Sequence, residues 1–253
     1  MDIPTSTGRS HYLRRLLILH RNFQMKNSFI GNLLHLSDPT LPIGGFSHSH
    51  GLETYVQLNI VHDTVSAELF IVENLKSNVK YNDASFVRLA FEAAATNNFS
   101  EIISLDQECT ALKCAKEIRQ ASQKLGVRLI KIFRKHLNHE FISKYDIAIQ
   151  ENKASGHYCI VFGCYAFLLG IPLEETLYSY FYNTAVGLVT NSVKLIPLGQ
   201  LDGQDIMFRL QPIITKLVTE TLEVDRSLVG LLDIGLDMRC MQHERLYSRL
   251  YMS

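Results

Sequence analysis

The chain has 253 residues, of which 47% are hydrophobic and 20% are charged. This composition supplies a sizeable apolar core and excludes disorder as the class of the whole chain. Basic residues and acidic residues number 25 each, so no excess of charge is present to bind nucleic acid or an acidic membrane. The length fits one large domain or two small ones, and we expect one.

The N-terminal segment is basic and partly apolar, with the sequence HYLRRLLILHRNFQMKN from His11. Its apolar run, residues 16–19, is shorter than the roughly seven to fifteen residues of a signal peptide. We therefore expect residues 1–27 to be a disordered extension and residues 28–253 to be the folded domain. The longest uncharged run, residues 158–171, falls short of the roughly 20 residues that span a bilayer and predicts a buried helix.

Hydrophobic residues recur with a period of 3.6 over most of the chain, as in residues 67–75 and 86–93. This spacing is typical of amphipathic helices and predicts an all-α fold, a single globular bundle of about ten helices. Small residues within 186–193 predict either close helix packing or an oligomer contact. The predicted helix caps and breaks lie at Ser47 or Ser49, at Asp83 before a helix from Ala84, at Gly170 with Pro172, and at Asp202 before a helix from Gln204.

Five cysteines lie on apolar helical segments, an odd number that does not indicate a secreted disulfide framework. A reducing cytoplasm is the compartment that this usage favours. The members of the pairs Cys109 and Cys114, and Cys159 and Cys164, stand five residues apart, which places them about 140° apart on a helix. They do not make a zinc site, and we expect core cysteines.

The first unusual segment is LSDPTLPIGGFSHSHGLETYV, residues 36–56. Its prolines and adjacent glycines predict a defined turn between two helices. His48, His50 and Glu53 are side chains of the types that bind divalent transition ions. The two histidines are two residues apart and diverge on a helix, so capping or hydrogen bonding is the alternative to metal binding.

Two further segments are unusual, residues 193–204 and residues 241–253. In the first, VKLIPLGQLDGQ, a proline and a glycine end one helix, and Gln200 and Gln204 are suited to hydrogen-bond the exposed backbone of the turn. The second, MQHERLYSRLYMS, is rich in aromatic and arginine side chains, which are enriched in binding hot spots. It is either a docking tail or an amphipathic end helix packed on the core.

Motifs of catalysis are absent from the sequence, which contains no GxxxxGK[ST], GxSxG or HExxH. The serines and histidines show no order typical of a catalytic triad. We therefore predict no catalytic residue and no permanently bound cofactor or metal. A helical metal-dependent enzyme or a nickel-binding protein that uses His48, His50 and Glu53 is the alternative.

Together and in this order, PIGGFSHSHGLE, LIPLGQLDGQ and HERLYSRLYMS resemble the UreF family of urease accessory proteins. The middle segments KLGVRLIK, residues 124–131, and HYCIVFGCYAFLLGI, residues 157–171, are also similar, so the resemblance covers residues 30–253. One departure is Lys194, which stands where many members carry arginine and lacks the bidentate guanidinium.

The resemblance implies a non-enzymatic, dimeric, all-helical adaptor of urease maturation. It implies binding to UreD, called UreH in some bacteria, recruitment of the GTPase UreG, and GTP-dependent nickel insertion into apo-urease, with nickel handled by the assembled complex. The residues that it assigns to partner binding are Pro42, Gly44, Phe46, His48, Gly51, Glu53, Lys194, Pro197, Gly199, Gln200, Gln204, His243, Glu244, Arg245, Tyr247, Arg249, Leu250 and Tyr251.

Overall fold

The structure, a computed structural model, describes residues 29–253 apart from the side chain of Phe46. The N-terminal extension expected over residues 1–27 lies outside the described residues. Within the described part the chain forms helices and loops without a strand. The predicted all-α class and the number of about ten helices are therefore confirmed.

Ten helices follow one another along the described chain when one long, partly π-helical element is counted once. They are α1 (Ile30–Leu36), α2 (Leu52–Gln57), α3 (Thr64–Asn74, continuing through Leu75–Ala84 and Ser85–Ala95), α4 (Phe99–Leu112), α5 (Lys116–Phe133), α6 (Glu140–Gln150), α7 (Tyr158–Leu168), α8 (Leu173–Leu195), α9 (Gln200–Leu222) and α10 (Ile234–His243). Short 3-10 turns occupy Gly45–Ser47 and Arg226–Leu228. None of the helices within residues 29–253 has the length and apolarity needed to cross a bilayer.

Helix α7 lies at the centre of the core, between the end of α3 and α5. Its residues from Cys159 to Ala166 are all buried, as the uncharged run in the sequence predicts. Gly163 lets α7 approach α3 closely, because a Cβ at this position would meet the Val87 carbonyl and lie 3.1 Å from the Ala90 Cβ. The apolar face of each surrounding helix is therefore buried against a helix that is covered on most sides.

The middle of α3, Leu75–Ala84, is a π-helix, and the backbone stays helical at both of its junctions. The prediction that Asp83 caps a new helix starting at Ala84 is therefore wrong. Asp83 instead lies inside the continuous helix, where its carboxylate is 2.7 Å from the ammonium of Lys113. An aspartate in a stretch of turn-forming residues locally favours a helix start, but its ion pair with Lys113, directly after α4, stabilises it inside the helix.

Three other predicted helix boundaries are tested by the structure. The break at Gly170 and Pro172 is confirmed, since it separates α7 from α8. Helix α2 begins after Gly51 without a serine side-chain cap, so the predicted serine caps are wrong. Helix α9 begins four residues earlier than predicted, and the Asp202 carboxylate in its first turn accepts the N–H of Gly199 at 2.8 Å.

Candidate partner-binding site

The three unusual sequence segments meet on one side of the molecule. We call them the front loop (residues 44–51), the corner (residues 194–204) and the tail (residues 241–253). Ile196 of the corner and Leu52, which follows the front loop, are buried in one small apolar cluster. The tail passes along the front loop and α2, and its hydrogen bonds to both of them fix its path.

Glu53 on α2 is the main attachment point of the tail. It is only 3% exposed, and its carboxylate accepts the backbone N–H groups of Leu250 at 2.6 Å and Tyr251 at 3.2 Å. The same carboxylate lies 3.0 Å from Nε2 of His243. A buried carboxylate needs such partners, because an unpaired charge away from water is strongly unfavourable.

His243 lies between two carboxylates and is fully buried. Its Nδ1 is 2.7 Å from Glu117 on α5, and the second Glu117 oxygen accepts from Arg249 at 2.8 Å. Two carboxylates therefore face the imidazole of His243, and one of them also faces the guanidinium of Arg249. We call this set, Glu53, Glu117, His243 and Arg249, the tail anchor.

The last residues of the chain pair with the front loop. The N–H of Met252 donates to the Ser47 carbonyl at 2.8 Å, and the N–H of Ser49 donates to the oxygen of Ser253. The Nδ1 atom of His48 lies 2.7 Å from the hydroxyl of Ser253. The tail is therefore held by backbone pairing as well as by the tail anchor.

His48 is buried between the tail and α8. Its carbonyl accepts from the side-chain amide of Asn191 on α8 at 2.8 Å. Burial lowers the pKa of the His48 imidazole to about 4, and the nearby His50, Lys124 and Arg128 act in the same direction. His48 is therefore neutral at neutral pH, and its ring nitrogen acts as a hydrogen-bonding group of the fold.

The end of the front loop packs directly against α10. Gly51 has a φ of 85°, in the left-handed region, and a Cβ there would lie 2.8 Å from Sγ of Cys240. The hydroxyl of Thr54 donates to the Arg239 carbonyl at 3.0 Å, which adds a second link between α2 and α10. Glycine is thus required at position 51 by backbone conformation and by space.

The outer side of the tail is exposed although its path is fixed. Tyr247 is fully exposed, Leu250 is 67% exposed and Met252 is 60% exposed. Glu244 and Arg245 are exposed beside them. The expectation of an amphipathic end helix is wrong, because α10 ends at His243, although His243 and Tyr251 do pack inside the chain. The docking role of the tail stays a prediction.

The corner forms an exposed turn between α8 and α9. The predicted contact residues Lys194, Pro197, Gly199, Gln200 and Gln204 are all exposed. Neither glutamine side chain bonds the turn backbone within residues 29–253; the Asp202 carboxylate takes that role. Next to the corner, Leu201 is 80% exposed and Phe208 is 74% exposed on α9, so the corner also carries apolar side chains that face water.

The structure divides the residues predicted for partner binding into two groups. His48, Gly51, Glu53, His243 and Tyr251 are buried in the chain, where they contact the tail, the front loop or α10, and their part in partner binding stays a prediction. Arg249 belongs to the tail anchor yet remains partly exposed. The exposed members are Pro42, Lys194, Pro197, Gly199, Gln200, Gln204, Glu244, Arg245, Tyr247 and Leu250; Gly44 is half-buried, and the side chain of Phe46 lies outside the described part.

The alternative of a metal site at His48, His50 and Glu53 gains no support from the geometry. His48 bonds to Ser253 and Glu53 bonds to His243 and the tail backbone. Within the described part of the chain, no group of three histidine, cysteine or acidic side chains is arranged to hold a metal ion.

A cavity of about 260 Å³ lies between the front loop, the π-helical stretch, α8 and α10. His50 lines it, and removal from water lowers the pKa of its imidazole, with Asp83 opposing and Lys113 assisting that shift. Lys113 and Asp83 form a partly buried ion pair in the cavity wall. Burial opposes the charge of Lys113, but Asp83 raises the pKa of the lysine above its usual range.

Sequence reasoning missed three residues that hold the tail: Glu117, Asn191 and Ser253. Each contacts the front loop or the tail through long-range pairing, at separations such as the 126 residues between Glu117 and His243. No local pattern marks them, because Glu117 resembles any acidic residue in the first turn of a helix. Only the known position of the tail identifies them.

The fold and the site define a class of all-helical protein in which the C-terminal tail is fixed to an N-terminal glycine-rich loop and exposes apolar side chains. A family model described as UreF matches residues 61–211. The chain belongs to the UreF family.

Curated relatives agree with this assignment over most of the chain. A urease accessory protein UreF of Actinobacillus pleuropneumoniae serotype 5b (strain L20) is 48% identical over 224 residues, 88% of this chain and 99% of the relative. The protein of that name from Haemophilus influenzae is 46% identical over 88% of this chain and 95% of its own length. One from Bacillus sp. (strain TB-90) is 33% identical over 88% of this chain and 98% of its own length.

Proposed function

We propose that the chain is a non-enzymatic adaptor of urease maturation that acts in the cytoplasm. It binds UreD, called UreH in some bacteria, recruits the GTPase UreG, and assists GTP-dependent insertion of nickel into apo-urease. Family membership supports the link to urease maturation. Nickel is handled by the assembled complex in this proposal, and the chain holds no permanent cofactor of its own.

The observation that carries the adaptor role is the exposed apolar side of an anchored tail. Tyr247, Leu250 and Met252 face solvent although the backbone between them is bonded to Glu53 and Ser47. A segment fixed before binding loses little conformational freedom when a partner docks. Tyrosine, leucine and methionine side chains on such a segment supply the buried apolar area that a protein interface needs.

The homodimer is part of this proposal and is supported by the surface of α8. Gly187 is exposed, and no other atom of the described chain lies within 4 Å of the position that a Cβ would take there. The lack of a side chain at Gly187 is therefore not needed for another helix of the same chain to pack against α8. It leaves room for a helix of a second copy to approach α8, the oligomer contact that the sequence raised.

The test uses a host strain that lacks the gene and carries plasmid copies of it. The double variant Tyr247→Ala/Leu250→Ala removes exposed side chains only, whereas deletion of residues 242–253 would also remove the buried His243 and Tyr251. We expect the double variant to stay folded, to bind UreD at least about 30-fold more weakly, and to restore little urease activity.

The matched control is Val65→Ala/Leu69→Ala, which removes two exposed apolar side chains from α3, 76% and 61% exposed, away from the tail. We expect it to bind UreD and restore urease activity as the wild type does. Full urease activity in the deletion strain without any plasmid would contradict the maturation role. Wild-type UreD binding by the tail variant would contradict the role of this surface and leave the maturation role standing.

A further inference from the structure

Two buried cysteines from different helices face one another in the core. The Sγ atoms of Cys109 on α4 and Cys159 on α7 are 3.7 Å apart, and neither residue is exposed. The two residues are 50 positions apart in the chain, so the contact is not a consequence of neighbouring sequence. Cys164 stands on the same helix as Cys159 but five residues further on, which places it on another face.

The surroundings of the pair favour a thiolate. Lys113 follows Cys109 by four residues, directly after the end of α4, and its positive charge acts on the Cys109 thiol. The hydrogen bond with Cys159 lowers the pKa of the Cys109 thiol to about 6 against the opposing effect of burial, and Lys113 and His157 contribute to that lowering. Burial raises the pKa of Cys159. Cys109 is therefore the member of the pair that more readily forms the thiolate, the reactive form of cysteine.

The cavity already described adjoins this pair, because Tyr158, the residue before Cys159, and Lys113 both line it. Lys113 and Asp83 form part of the wall of that cavity, which has a volume of about 260 Å³. A molecule of the size of hydrogen peroxide occupies far less space than the cavity offers.

We infer that Cys109 and Cys159 are an oxidisable pair that a peroxide converts into a disulfide between α4 and α7. The Cys109 thiolate attacks one peroxide oxygen and the O–O bond breaks. The second oxygen leaves as hydroxide and takes up a proton to become water. Cys109 is then a sulfenic acid.

The second step closes the disulfide. The sulfur of Cys159 attacks the Cys109 sulfur, the S–O bond breaks, and the departing hydroxide takes the proton of Cys159 to become a second water. The two cysteines lose two electrons, which reduce one peroxide to two waters. The sulfur atoms must approach by roughly 1.7 Å to reach the S–S bond length of about 2.05 Å, which side-chain rotation with a small helix shift provides.

The pair has the features of a reversible sensor more than of a structural disulfide. Disulfides in reducing compartments are transient and serve catalysis or redox sensing. Formation of the bond fixes the end of α4 against the start of α7 and removes the thiolate beside the Asp83–Lys113 ion pair. Oxidation therefore alters the wall of the cavity next to the front loop.

The test is treatment of the folded full-length chain with hydrogen peroxide, followed by alkylation of free thiols, intact mass and peptide mapping. We expect an intramolecular Cys109–Cys159 link that dithiothreitol reverses. Because the folded chain holds both sulfurs together, the link should form about tenfold faster than in urea-unfolded chain. In Cys159→Ser we expect oxidation to stop at a sulfenic acid on Cys109, which dimedone traps.

The matched control is Cys164→Ser, a buried cysteine of the same helix, which should leave formation of the link unchanged. Circular dichroism confirms that each variant is folded, and the experiment on the unsubstituted chain needs no variant at all. Free thiols at both positions after peroxide treatment, or a link that forms no faster in the folded chain, would overturn the inference. Oxidation confined to the exposed Cys114 would overturn it as well.

Discussion

Replacement of Glu53 by glutamine tests whether the tail is held as the structure describes. The carboxylate accepts three hydrogen bonds, from His243, Leu250 and Tyr251. An amide keeps the size of the side chain, but it offers one acceptor oxygen and turns an NH₂ group toward donors. Hydrogen bonds to a charged group contribute about 1.5–3 kcal/mol each, so we expect the tail contacts to lose about 3 kcal/mol in Glu53→Gln.

The loss should appear as local opening of the tail, because residues at a chain end detach without unfolding the core. A change of about 3 kcal/mol corresponds to roughly 150-fold faster amide exchange in this segment. Hydrogen–deuterium exchange of a peptide covering residues 248–253 measures this directly. Exchange in the buried helix α7 should stay unchanged.

Glu140→Gln is the matched control, because Glu140 is an exposed glutamate on α6 whose carboxylate is 2.8 Å from Lys144. Exposed ion pairs of this kind contribute little to stability, so tail exchange in this variant should equal that of the wild type. If Glu53→Gln leaves tail exchange unchanged, or if both variants raise it equally, the reasoning about the tail anchor is refuted.

Three further changes have defined outcomes. His48 has a pKa of about 4 in the folded chain and 6.5 as its ordinary value, so the unfolded chain binds the proton first and stability falls from pH 6.5 to pH 4. In urea titrations this fall, on the order of 3 kcal/mol, should be smaller in His48→Gln. Gly51→Ala should lower stability by about 2 kcal/mol, because φ is 85° and Cys240 occupies the space, whereas Cys240→Ala in the same chain should recover part of the loss. Asp106→Ala should cost about 3–5 kcal/mol in denaturant unfolding, because three backbone N–H groups and the Tyr145 hydroxyl lose a buried acceptor; an effect under about 1 kcal/mol would contradict this role.

Much of the fold follows from hydrophobic periodicity. Apolar residues at helical spacing predict the all-α class, and Ala67, Ile71 and Leu75 are buried as the pattern of α3 requires. The π-helical stretch was not predictable, because its sequence, LKSNVKYNDA, contains turn-forming residues that locally favour a break. Tertiary contacts override that preference, among them the hydrogen bond from the Asn82 side chain to the Leu231 carbonyl at 3.0 Å.

The candidate site was predictable in its segments and not in its connections. Glycine and proline in the front loop and the corner indicate turns, and a hydrogen-bonding role for His48 and Glu53 was one of the alternatives that the sequence left open. The sequence does not show which groups these two side chains bond, because 190 residues separate Glu53 from its partner His243. In the same way, cysteine spacing within each helix gave no sign that Cys109 meets Cys159 across two helices.

The tail anchor also determines when the front loop of a newly made chain acquires its final contacts. Glu53 leaves the ribosome long before the residues that it binds. The contacts of α2 and the front loop with the tail therefore cannot form until the tail has been made. Contacts of such large sequence separation form late in folding, after local helices and the central core. The exposed side of the tail therefore takes its final position only after residues 241–253 have been made and have bonded to Glu53.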